Sequence, residues 1–321
     1  MLKRVAPAIG LFFLSPLAGE FLLGNLPITM LPALVALAPL YGGGALLIRE
    51  LARRSGAGWP GIVLLALAYA LIEEGLVTRS LFAPSFAGMD LTAQAWLPGV
   101  EMSAWWAGFV LGGVHVAGSV CAPIAVMEAL VPARASEPWL RVPGLVVAGV
   151  LFVLGAVMAS AFDPGAYVPS VAQVVGVLVA VALLAFVALR RRTARTDAGQ
   201  APGPWPVLGC SMAAGAVFWL ANLASGTLGA WPTVVINLAV YAVVCVLVVR
   251  WSRRPGWGLR QTFALGAGSM LTYAWHGFLQ PPAVPVAPAA DLVGNAVFAV
   301  AAVALLAVIA ARLRTDVMEL S

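Results

Sequence analysis

Apolar residues in this chain come in runs of about twenty, separated by short stretches that are polar or rich in glycine and proline. At 1.5 Å of rise per residue, about twenty residues cover the roughly 30 Å hydrocarbon core of a bilayer. Ten runs of that length predict ten crossing helices, over 6–24, 29–48, 61–83, 103–127, 143–161, 169–189, 205–225, 232–250, 261–279 and 291–311. The predicted fold is all-α, a polytopic transmembrane helix bundle. Pro27, Pro32 and Pro39 punctuate the first two runs, which read either as two full crossings or as one broken pair. Gly42-Gly43-Gly44, just after Pro39, is a candidate for an unwound stretch whose backbone lines a cavity. Lys3 and Arg4 before the first run resemble the start of a signal peptide, but the apolar run resumes after Glu20, so a retained first span is expected.

The polar positions test this count. With residue 1 on the cytoplasmic side, the inner segments hold 17 of the 18 basic residues, including Arg49, Arg53, Arg54, Arg191, Arg192 and Arg195. The outer loops carry Asp90, Glu101, Asp163 and Asp291. A wrong number of spans would scramble that alternation, so it supports ten spans with both termini inside. Trp96, Trp105 and Trp106 at the outer start of the fourth span read as interfacial anchors, as do Trp205, Trp231 and Trp257 at other span ends.

Composition narrows the class further. Of 321 residues 62% are hydrophobic and 10% charged, with a mean hydropathy of +0.98. Soluble domains carry about 25% charged residues, so lipid must be the main solvent. The basic pI of about 9.6 reflects the arginines of the inner loops, and no nucleic-acid partner is expected. Cys121, Cys210 and Cys245 lie far apart inside apolar runs and read as packing residues. Arginine-rich, lysine-poor usage fits a bacterial cell membrane protein. The longest inner connection divides the chain into a membrane domain over 1–189, a basic Gly/Pro-containing linker over 190–204 and a second membrane domain over 205–321.

Candidate chemistry lies in charges that hydrocarbon should exclude. Glu73 and Glu74 fall near the predicted midplane of the third span, and Arg79 near its outer end. A charge at the bilayer centre costs at least about 2.5–3.5 kcal/mol on the insertion scale, which implies partners, water or protons. At 100° per residue, the two glutamates point in different directions on an α-helix. Arg79 lies five and six residues beyond them, so it is expected to pair across helices or with something at the outer surface. Glu20, His115, Tyr273 and His276 occupy compatible depths, with Thr272, Tyr273, His276 and Gln280 on one stripe of the ninth span. Asn222, Asn237 and Asn295 read as interhelical hydrogen-bonding residues. The spacing Ala104-x3-Gly108-x3-Gly112 predicts close helix approach. These polar groups favour the outer half, which predicts a hydrated site open outward. No metal or cofactor motif is present, and neither group is expected.

Paired glutamates followed by an arginine, and later by a phenylalanine and a histidine, loosely resemble the CAAX protease and bacteriocin-processing (CPBP) family of intramembrane proteases. The residues are Glu73, Glu74, Arg79, Phe109 and His115, with four residues between Glu74 and Arg79 where the family motif has three. Phe109 precedes His115 by six positions where the family has four. The resemblance implies a glutamate-dependent hydrolase in which Glu73 or Glu74 activates water, with His115 or His276 assisting.

Without the resemblance, the residues point first to a transporter or small-molecule-binding protein. In that reading Glu20, Glu73, Glu74, Arg79, His115, Tyr273 and His276 form its substrate- or ion-binding site. A non-catalytic membrane partner subunit is the third reading.

Overall fold

The computed structural model describes residues 2–161, 167–190 and 197–318. Asp163, Arg191, Arg192 and Arg195 lie outside the described residues. Nine helices among those described are long and apolar enough to cross a membrane. In chain order they are α1 (Arg4–Leu22), α2 (Ile28–Ser55), α3 (Gly58–Val77), α4 (Ala104–Leu130), α5 (Val142–Ala161), α6 (Val171–Arg190), α7 (Pro204–Leu223), α8 (Ala230–Ser252) and α10 (Pro288–Arg314). Between the last two runs α9 (Leu259–His276), which is more polar and mostly buried. The protein is thus an all-α membrane helix bundle, with two two-stranded hairpins in the segment joining α3 to α4.

Burial sorts the helices. In α1–α4, 50–61% of the apolar window is enclosed by protein, against 11% in α5 and α6, which therefore offer most of their surface to lipid. Helix α9 packs on α7, α4, α10 and α1, and so joins the late helices to the early ones. One continuous apolar core includes Leu11 and Phe21 of α1, Ile62 of α3, Trp219 of α7 and Met270 of α9. The two predicted membrane domains share that core.

Helix α2 corrects one expectation. It is helical from Leu34 to Ser55, through Pro39 and the three glycines, with no unwound stretch. The glycines serve approach instead. A Cβ on Gly42 would stand 1.9 Å from the Phe12 carbonyl oxygen, and one on Gly44 would stand 2.4 Å from the Tyr69 ring. Gly44→Ala must displace Tyr69, and overpacking of this kind costs about 1–3 kcal/mol. A fall in the thermal midpoint of the detergent-solubilised variant would check it.

The C-terminal ends of α2 and α4 are locked together by charge. Arg49 is wholly buried and donates to Glu50 (2.8 Å), Glu128 (3.1 Å) and the carbonyls of Arg134 (3.2 Å) and Ala135 (2.8 Å). Its guanidinium lies 3.4 Å from the centre of the Trp139 ring. Arg53 adds a two-pronged contact to Glu128 (2.8 and 2.5 Å). Glu50 accepts the backbone N–H groups of Trp139 (2.8 Å) and Leu140 (3.1 Å), which pins the α4–α5 loop beneath α2. The sequence assigned these arginines an orienting role only. Glu50 and Glu128, their partners, were not singled out.

Candidate functional site

Helix α3 is an α-helix from Gly58 to Ile72 and a π-helix from Glu73 to Val77. The Thr78 N–H donates to the Glu73 carbonyl five residues back, at 2.8 Å. Such i→i+5 bonding widens the turn and reduces the rotation per residue, and π-helical turns recur at functional sites. The adjacent carboxyls of Glu73 and Glu74 therefore diverge less than an α-helix would impose, and both reach one imidazole. His115 Nε2 lies 2.6 Å from Glu74 Oε1, and His115 Nδ1 lies 3.3 Å from Glu73 Oε2. The two side chains still leave the helix in different directions, and they meet at His115 through different ring nitrogens.

The other two helices at this point are also π-helical, over Leu17–Leu22 of α1 and Gly108–Cys121 of α4. They carry Glu20 and His115, so each of the four titratable groups stands on a widened turn. The Tyr41 hydroxyl of α2 donates to Glu20 Oε1, and Asn25 donates to Glu20 Oε2 (2.5 Å). The Tyr41 ring lies 6.3 Å from the His115 ring, centre to centre. Ser15 ties α1 to α4 through the Ser119 carbonyl (2.6 Å).

The two glutamates have different surroundings. Glu74 is fully engaged: Oε1 meets His115, and Oε2 accepts the hydroxyls of Thr78 (3.1 Å) and Ser80. Ser80 in turn accepts the Trp106 indole N–H at 2.8 Å. Trp106 is buried in this chain of contacts, which corrects its reading as an interfacial anchor. Glu73 Oε2 and His115 Nδ1, although within ion-pair distance, have no hydrogen-bonding partner among the described residues, and neither does the Tyr69 hydroxyl. These side chains are only 2–3% exposed, so the shortfall falls on atoms with little access to bulk water. A buried polar group left unpaired costs about 1–3 kcal/mol, so three such atoms in one corner are a departure from ordinary core packing.

Arg79 is placed elsewhere. Helix α3 ends at Val77, earlier than residue 83, and Arg79 adopts a left-handed backbone (φ 60°) that turns the chain away. Its guanidinium donates to the Ser160 carbonyl on α5 at 3.1 Å. The early end also places Glu73 and Glu74 in the last turn of α3. His276 stacks on Trp219 with ring centres 3.7 Å apart, and Tyr273 donates to the Val114 carbonyl at 3.2 Å. Gln280 lies beyond the end of α9 and leaves the predicted stripe. Asn222 and Asn237 pair with each other across α7 and α8 at 3.0 Å. Among the described residues, no three His, Cys, Asp or Glu side chains are arranged to hold a metal ion.

A family model for an uncharacterized membrane protein family matches residues 11–320. The chain belongs to that family. No curated protein and no solved structure matches it. Membership of this family agrees with the multi-pass helical architecture and assigns no activity to the Glu/His cluster.

Sequence reasoning did not single out Tyr41, Tyr69, Thr78 or Ser80 as site residues. Tyrosine, threonine and serine are common in apolar helices, and no spacing signals which of them will face a carboxyl on another turn. Tyr69 carried the one local clue, since it precedes Glu73 by a single turn.

Proposed function

We propose that this member of the family is a glutamate-dependent hydrolase of the bacterial cell membrane, acting on amide bonds of membrane-embedded peptides. The observation that carries the reading is the unequal placement of two carboxyls on the two nitrogens of His115. Glu74, held by Thr78 and Ser80, orients the imidazole as a buried carboxylate orients a catalytic histidine. Glu73 and His115 Nδ1 form the reactive edge, where a water molecule would be bound and deprotonated.

A second reading, proton-coupled transport or ion binding, is favoured by Glu20. Three buried carboxyls surround one imidazole, and such a cluster holds protons or a cation.

Two assays on the same double variant, Glu73→Gln with Glu74→Gln, separate the readings. Loss of cleavage of quenched-fluorescent single-span peptides in proteoliposomes is the expected result for a hydrolase. Cleavage that survives in the double variant would end that reading. Wild-type proton-driven flux that the variant loses, without peptide cleavage by either protein, would establish the transport reading instead.

A further inference from the structure

We propose that Tyr69 is a further catalytic residue, whose hydroxyl binds the substrate carbonyl oxygen and stabilises the oxyanion as it forms. The inference rests on the hydrolase reading of Glu73, Glu74 and His115.

Four of the five tyrosines donate a hydrogen bond: Tyr41 to Glu20, Tyr167 to Gln173, Tyr241 to Gly108 and Tyr273 to Val114. The Tyr69 hydroxyl is the exception: it makes no hydrogen bond of regular geometry among the described residues, although the side chain is only 3% exposed and interacts with the Glu73 carboxyl one turn on. It is one of three buried atoms left without a hydrogen-bonding partner in the same corner, with Glu73 Oε2 and His115 Nδ1. Tyr69 precedes Glu73 by one turn of α3, and its ring meets the His115 ring edge-on with centres 6.1 Å apart. Packing holds that ring in place: Phe152 lies 6.0 Å away, and the bare face of Gly44 leaves room for nothing larger.

The unpaired atoms are chemically complementary. Glu73 supplies an acceptor and Tyr69 a donor, and a peptide carbonyl under attack by water needs one of each. The water oxygen forms a bond to the carbonyl carbon, and the proton it loses passes to Glu73. The carbonyl π electrons move onto oxygen, which accepts the Tyr69 O–H hydrogen bond. When the tetrahedral intermediate collapses, the carbonyl re-forms, the C–N bond breaks, and the proton on Glu73 goes to the departing nitrogen. A donor aimed at the forming oxyanion strengthens in the transition state, so its loss acts on turnover more than on binding.

The test compares full-length wild type, Tyr69→Phe and Glu73→Gln in proteoliposomes with a library of quenched-fluorescent single-span peptides. For Tyr69→Phe the expected loss in kcat is about 10²–10³-fold, the usual range for one oxyanion donor. KM is expected to stay within about threefold, since uniform binding is untouched. Phenylalanine keeps the ring, and an unchanged thermal midpoint would show that packing is intact. Installing 3,5-difluorotyrosine at position 69 keeps a donor and is expected to restore turnover, which a purely structural role would not require. If Glu73→Gln is inactive while Tyr69→Phe keeps kcat within about threefold, Tyr69 is not the donor and the hydrolase reading stands. If wild type cleaves nothing, or Glu73→Gln cleaves as well as wild type, the hydrolase reading and this assignment both fall.

Discussion

Glu73→Gln is expected to lower the turnover of a cleavable membrane peptide by about 10²–10⁴-fold, the contribution of a positioned general base. Glutamine matches glutamate in shape but cannot take up a proton. Glu73 Oε2 makes an ion-pair contact to His115 Nδ1 at 3.3 Å but accepts no hydrogen bond of regular geometry among the described residues, so the change removes less than the loss of Glu74 would. The thermal midpoint should therefore move by no more than a few degrees. Glu74→Gln should behave differently. Its two oxygens engage His115, Thr78 and Ser80, and the amide would present an N–H₂ group to one side of that set. Turnover and thermal stability are both expected to fall, because the imidazole loses its orienting acceptor and a hydroxyl is forced to turn. Measuring kcat and the thermal midpoint for both variants separates the roles. Equal stability losses in the two would refute the division into a reactive glutamate and an orienting one.

Arg49→Met is expected to cost about 3–5 kcal/mol of stability, the penalty for removing one partner from a buried ion pair. Methionine fills a similar length, so the loss is chiefly electrostatic. Glu50 would remain wholly buried, with backbone N–H donors but a weakened positive charge beside it, and Glu128 would keep only Arg53. The carbonyls of Arg134 and Ala135 would lose their donor as well. Removing acid and base together should cost less than removing either, since no charge is then stranded. Chemical denaturation in detergent of Arg49→Met, Glu50→Gln and the double variant measures the coupling. Additive losses would mean that the pair contributes nothing beyond its separate contacts.

The sequence by itself determined the class of the molecule. Runs of about twenty apolar residues and the confinement of basic residues to alternate loops follow from the bilayer, which constrains length and charge whatever the fold. It also made Glu20, Glu73, Glu74 and His115 conspicuous, because an ionisable group in hydrocarbon needs a reason to be there. It did not reveal how those groups meet. Glu73 and Glu74 leave the helix in different directions, and the structure shows a π-helical turn at Glu73–Val77 from which they meet different nitrogens of His115. Nothing in the residue types announces such a turn, since it is stabilised by what packs around it. Arg79 looked like part of the same site, but a left-handed backbone at that residue sends it to α5. The glycines of α2 looked like a break and proved to be contact surfaces, a distinction set by Phe12 and Tyr69 on other helices. Lipid selects hydrophobic length one helix at a time, so length and orientation are local and legible. A site built from α1, α2, α3 and α4 depends on how four helices pack, and only the tertiary structure decides that.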